Sequence, residues 1–367
     1  MKQKDAKKQI PWKRIAQIAL FVLPIAVGVL TLFSLPSAEI PFSEAVRRAH
    51  PFWFAWSFLL CVIGVAAEAL RLWALGGKTV KYTFCVRSVL TGKFYDCITP
   101  YAVGGQPAQM VLLAKRIPPA NATALPTVTY LLQTGTGILG ATLLFLLNAP
   151  VLERAGGVVV AGARVGLLIN SILPVIVLCI AFAPFLVEKI TDAVLKLLGR
   201  WKWIKNAPVL REKAQNGIRR YKEALAWMGG NFKTVVLAIV CSIVAFVAYA
   251  SLPYFVLVAF GMQPNAATYQ DCITLYCVLT YAAACIPSPG GAGIAEAAFV
   301  GLFGGYLTQE VSLWAVIVWR VLIYYGFVVI GMMLQGSVFL KRTVPAPAQA
   351  PAPAEEPAET EPKDETQ

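Results

Sequence analysis

Histidine is nearly absent from this sequence. His50 is the only one in 367 residues, which excludes Ser-His catalysis and any metal site built on histidines. Charge is scarce as well: Asp, Glu, Lys and Arg make up 14% of the chain, against about 25% in an ordinary soluble domain. None of the eight cysteines forms a Cys-x-x-Cys pair. They lie in or beside apolar stretches, where a thiol acts as a small buried hydrophobe. No nucleotide-binding loop and no nucleophile–base pair is visible. No catalytic residues are therefore assigned, and no enzymatic activity, metal or cofactor is expected.

Apolar residues fill the space that charge leaves. They make up 58% of the chain, and the mean hydropathy is +0.66. Several apolar runs exceed the roughly 20 residues needed to cross a hydrocarbon core of about 30 Å. The chain reads as an all-α polytopic membrane protein. Its net charge of +13 sits in segments between apolar runs, as in cytoplasmic loops that face anionic lipid. Membrane phospholipids are thus the expected partners and nucleic acid is not. Whether the chain forms a homo-oligomer stays open.

Residues 1–14 form a basic N-terminus, and 15–342 hold the transmembrane domain. The first expected span, 15–35, is too long for a signal peptide and lacks a convincing cleavage site. Residues 36–50 are read as an outer-interface segment in which Glu39 and Glu44 offset Arg47 and Arg48. A second span covers 51–75, with Trp53 and Trp56 at one end and Trp73 at the other. Further spans are expected at 119–147, at 165–187 after an outer loop 148–164, at 234–260 and at 308–340. Residues 188–233 carry eleven Lys/Arg against four Asp/Glu and read as amphipathic helices on the inner leaflet. The tail 343–367, rich in Pro, Ala and Glu, cannot bury a core and is expected to be disordered.

Two stretches break this regularity. Asp96 to Met110 reads DCITPYAVGGQPAQM, and Cys285 to Phe299 reads CIPSPGGAGIAEAAF. Each places a proline and a Gly-Gly pair inside an apolar region, so no continuous helix runs through it. The pieces after the breaks, 104–116 and 291–305, are too short to span. If 82–98 crossed alone, the basic stretch 188–233 would face outward, against the positive-inside rule. The reading is therefore six full transmembrane helices plus two re-entrant helical hairpins, with both termini cytoplasmic in a cell membrane. The hairpins occupy matching positions in inverted halves, the pattern of a transporter core.

Each second half-helix starts with glycines near mid-membrane, so its first amides and the helix dipole suit a phosphate or carboxylate. The candidates on this side are Gly104, Gly105, Gln106, Gln109, Gly290 and Gly291. The alternative is a packing kink satisfied by neighbouring helices. Arg320 lies about 18 Å along the last span, as a pathway residue or half of a buried pair. Glu296, in the first turns of its half-helix, is a dipole partner, a counter-ion for Arg320 or a proton acceptor. Arg71 could snorkel or bind ligand, with Glu68 one turn away as a partner. Asp96 ends a half-helix where the dipole disfavours it and should need Lys93 or another cation.

The order of Arg71 in LRLWAL, then ITPYAVGGQPAQM, IPSPGGAGIAEA and Arg320 in VWRVLIYY resembles the transmembrane region of lysylphosphatidylglycerol synthases, a flippase-like family. The resemblance covers roughly residues 10–340. It implies a membrane domain that moves phospholipids, anionic or aminoacylated, between leaflets. In multiple-peptide-resistance proteins such a domain precedes an aminoacyl-transferase domain. Only the tail stands there in this sequence, so synthase activity is not expected. An intramembrane lipid-head-group enzyme and a scaffold or regulator remain as alternative readings.

Overall fold

The computed structural model describes residues 40–182 and 231–343. The expected span 15–35, most of the basic stretch 188–233 and the tail lie outside the described residues. Among these residues every regular element is helical. Helix α1 is Phe42–Arg48 and α2 is Pro51–Leu75. The first broken stretch separates α3, Tyr82–Ile98, from α4, Gly105–Leu113. Then come α5, Pro119–Leu147, α6, Ala149–Ala155, and α7, Gly157–Phe182. The segment expected as an outer loop, 148–164, is thus mostly helical. Gly156, at φ +89°, turns the chain between α6 and α7. Beyond the undescribed segment lie α8, Phe232–Ala259, α9, Ala266–Ala283, and α10, Ile294–Phe303. The chain closes with α11, Gln309–Arg320, a π-helical turn Val321–Tyr325, and α12, Gly326–Thr343.

Among the described residues, five helices are long and apolar enough to cross a membrane: Pro51–Leu75, Pro119–Leu147, Gly157–Ile176, Phe232–Ala259 and the composite Glu310–Gln335. Their outward faces are greasy. Phe58, Leu139 and Leu146 are 64%, 73% and 76% exposed, a surface that water would not tolerate and lipid would. Local chemistry sets the helix ends. Pro51 starts α2 at a position where its missing N–H costs nothing. Asn231 and Asn265 accept the N–H of Lys233 (3.0 Å) and Ala267 (2.9 Å) and so open α8 and α9.

Antiparallel α2 and α8 form the spine. The His50 N–H donates to the Ala259 carbonyl at 2.8 Å, and Trp53 stacks on Phe255. Gly64 lets Tyr249 lie against the α2 backbone, since a Cβ there would meet the Tyr249 ring at 2.6 Å. The two broken segments double back from opposite ends of this spine. The Arg116 guanidinium lies over the Phe84 ring, 5.8 Å from its centre, so the α3–α4 segment returns to where it began. The Tyr306 hydroxyl donates to Asp271 at 3.3 Å, so the α9–α10 segment does the same. The first return packs into a core with Leu72, Leu75, Leu113 and Ala238. The second packs into a core with Ile40, Leu252, Val256 and Phe303, at the opposite end of the spine.

Candidate functional site

The two breaks meet. The chain at Pro100 runs antiparallel to the chain at Pro289 in a single-residue bridge. Ile98 ends α3 because Thr99, which precedes a proline, is forced into extended conformation (φ −108°, ψ 143°). Tyr101 and Ala102 then adopt the left-handed region at φ +56° and +52°, a conformation that non-glycine residues resist. On the other side Gly290 sits at φ +56°. A Cβ there would meet the Tyr324 ring and, at 2.8 Å, the carbonyl of Cys97. Only glycine lets the two tips come this close.

A cavity of about 360 Å³ opens beside this contact. Asp96, Tyr101, Tyr276, Ser288, Arg320 and Tyr324 supply its polar lining, with Asn170 and Thr280. Arg320 is 2% exposed and Glu296 is fully buried; the Arg320 Nη2 donates to Glu296 Oε2 at 2.7 Å. The same guanidinium donates to the carbonyls of Gly291 (3.0 Å) and Gly290 (3.3 Å). Arg320 thus clamps the second tip, with Glu296 as the counter-ion anticipated for it. Glu296 also accepts the Gly293 N–H at 2.7 Å and so caps α10.

The glycine amides are not turned toward a ligand as expected. Asp96 Oδ1 accepts the Gly105 N–H at 2.7 Å, and the Thr99 hydroxyl accepts that of Gly104 at 2.9 Å. The first half-helix is therefore capped from within, by side chains five and nine residues upstream that the turn of the chain brings back onto it. Asp96 does not pair with Lys93. The Lys93 Nζ instead donates to Glu68 at 3.0 Å and lies over the Tyr249 ring. That pairing in turn leaves Arg71 without Glu68. Arg71, 4% exposed, donates to Gln133 Oε1 (2.6 Å) and Ser242 Oγ (2.8 Å), between α2, α5 and α8.

The sequence-derived set is thus split. Asp96, Gly290, Gly291 and Arg320 line the cavity, and Glu296 stands directly behind it. Gly104 lies on a separate groove with Tyr95 and Lys115. Gln109 packs against Gly92 on α3, and Arg71 forms its own polar cluster. The Gln106 Oε1 is buried without a hydrogen-bond partner, yet Gln106 does not line the cavity. Sequence reasoning passed over Tyr324 and Ser288. Both line the cavity, and each has a buried hydroxyl oxygen with no hydrogen-bond partner among the described residues. Nothing in the sequence singled them out: the π-helical turn over Val321–Tyr325, a feature that collects at functional positions, exists only in the folded chain.

Charge decides what the cavity offers. Arg320 is paired with Glu296, so among the described residues the acid in the lining without a salt bridge is Asp96, whose Oδ1 takes the Gly105 N–H. At the far side, Arg154 and Asn148 donate to Asp271 at 3.0 and 3.1 Å and tie α6 to α9. Near them Glu44 and Glu310 both accept from Arg48, so Glu44 does offset a basic residue as expected. These two carboxylates raise the Arg48 pKa above its usual value, chiefly through the hydrogen bond to Glu44.

A sequence model of the family described as the lysylphosphatidylglycerol synthase TM region matches residues 14–331. A UPF0104 membrane protein of Archaeoglobus fulgidus is 22% identical over 334 residues, 87% of this chain and 98% of the relative.

Proposed function

The chain belongs to the lysylphosphatidylglycerol synthase TM region family, and we propose that it carries phospholipids from one leaflet to the other. The head group enters the cavity where the two broken segments meet, and the acyl chains stay in lipid. The observation that carries this reading is the cavity itself, a largely apolar pocket with a few polar groups converging on it. It combines an acid without a salt bridge, two hydroxyls that find no partner among the described residues and a strained tip at the meeting point of two segments that each double back. Because Arg320 is already neutralised, the favoured head group bears an ammonium beside its phosphate, as an aminoacylated phosphatidylglycerol does. A bare anion would face Asp96, and among the described lining residues no cation is left unpaired to receive it.

In this reading α3–α4 and α9–α10 are re-entrant hairpins from opposite leaflets. The described spans and the segment 15–35 make six crossings in a cell membrane. Both termini are cytoplasmic, because Lys78, Lys81, Lys115 and Arg116 then face the inside. The two halves are inverted copies, and rocking of one against the other exposes the cavity to each leaflet in turn.

The test is leaflet exchange in reconstituted vesicles carrying labelled phosphatidylglycerol or its lysyl ester. Exchange above protein-free vesicles is expected, faster for the lysyl ester. Asp96→Asn keeps an oxygen for the Gly105 N–H but removes the charge. It should slow exchange of the ester by about tenfold, the worth of one charge-assisted hydrogen bond. Exchange of neither lipid above background would overturn the proposal.

A further inference from the structure

The basic end of the α3–α4 hairpin holds a second cavity, unconnected with the transport reading. It encloses about 550 Å³ and is lined by Thr79, Lys81, Thr83, Phe84, Arg87 and Arg116, with Val80. Three cations and no acid face it. Among the described residues none of the three makes a salt bridge. Arg116 reaches only the Phe84 ring, a contact that leaves its donors free.

The helix beneath makes the imbalance larger. Lys81 is the N-cap of α3, its side chain caps nothing, and the first turn carries no acid. The partial positive end of the helix dipole therefore adds to three full positive charges, where sequences ordinarily place Asp or Glu. Such a cluster is self-repelling. It gains from an anion with several acceptor oxygens, and a guanidinium pair matches phosphate best.

Depth narrows the ligand further. Trp73 and Tyr82 stand edge to face at 6.4 Å beside the cavity, and Lys78 lies 5.1 Å over the Trp73 ring. Aromatic rings with lysines at a helix end mark head-group level. We propose that this cavity binds a phosphate-bearing anion, supplied in the membrane by the head group of an acidic phospholipid. That lipid holds the two ends of the α3–α4 segment, residues 79–87 and 116, together.

The measurement is lipid retention by native mass spectrometry of the full chain, in micelles titrated with phosphatidic acid, phosphatidylglycerol or phosphatidylcholine. A parallel arm replaces lipid with inorganic phosphate and pyrophosphate and follows the thermal transition. The full chain should retain the acidic lipids over phosphatidylcholine. Arg87→Gln and Arg116→Gln should each weaken retention about fivefold, and together on the order of thirtyfold. Lys115→Gln, at the same end but outside the cavity, should leave retention unchanged.

Stabilisation by inorganic phosphate at micromolar concentration, without lipid preference, would support the phosphate site and identify its source as soluble. No preference for acidic lipid together with no phosphate effect would overturn the proposal. An equal loss in Lys115→Gln would do so too, because it would reduce the effect to diffuse surface charge. Retention does not depend on transport, so this test can fail while leaflet exchange succeeds, and the reverse.

Discussion

Replacing Glu296 by alanine is the sharpest perturbation of the tip. Glu296 is fully buried, and its Oε2 accepts both from Arg320 and from the Gly293 N–H, each at 2.7 Å. Removal leaves a guanidinium that is 2% exposed with two carbonyls and no carboxylate. Breaking a buried pair from one side costs about 3–5 kcal/mol, and loss of the cap adds about 1 kcal/mol. At about 2 °C per kcal/mol for a chain of this size, Tm should fall by roughly 8–12 °C. Tryptophan fluorescence during heating of the detergent-solubilised protein reads this directly. Glu296→Ala combined with Arg320→Met removes both charges and should recover more than half of the loss, because an apolar replacement of a whole pair is often neutral. A Tm within 2 °C of the parent for Glu296→Ala, or a double variant as unstable as the sum of the singles, would refute the reasoning.

Two further outcomes separate conformational demand from packing. Gly290→Ala should lower Tm and abolish leaflet exchange, because its backbone is left-handed and its Cβ would meet Tyr324 and Cys97. Gly301→Ala meets nothing within 4 Å and should raise stability by up to about 1 kcal/mol, the ordinary helix preference for alanine; heating curves of the two variants compare them. Lys93→Met should destabilise by about 3 kcal/mol, since Glu68 is then left partly buried without its cation. Adding Glu68→Gln should restore most of that loss, measured in the same way.

Much of the architecture was legible because apolar run length and proline position are local properties. The expected ranges 51–75 and 119–147 match α2 and α5. Both breaks fall where Pro100 and Pro289 put them. Partner choice was less legible. Glu68 and Arg71 are adjacent on one helix, yet Glu68 faces Lys93 across the α2–α3 contact and Arg71 faces Ser242 on α8. No spacing within a single helix reveals that. The pairing of Arg320 with Glu296 was readable, because each is a costly charge in an apolar segment and the two needed one another. The capping of Gly104 and Gly105 by Thr99 and Asp96 was missed for a geometric reason. Glycine amides advertise a vacancy in sequence, but a polar side chain just upstream fills it once the chain turns.

The one-residue bridge between Pro100 and Pro289 has a mechanical consequence. A helix that spans the bilayer is a wall about 30 Å thick. If the two segments are the re-entrant hairpins proposed above, their tip-to-tip contact makes a wall only as thick as that contact. In that arrangement a small sliding at the joint would thin the barrier to a polar group without unwinding any helix.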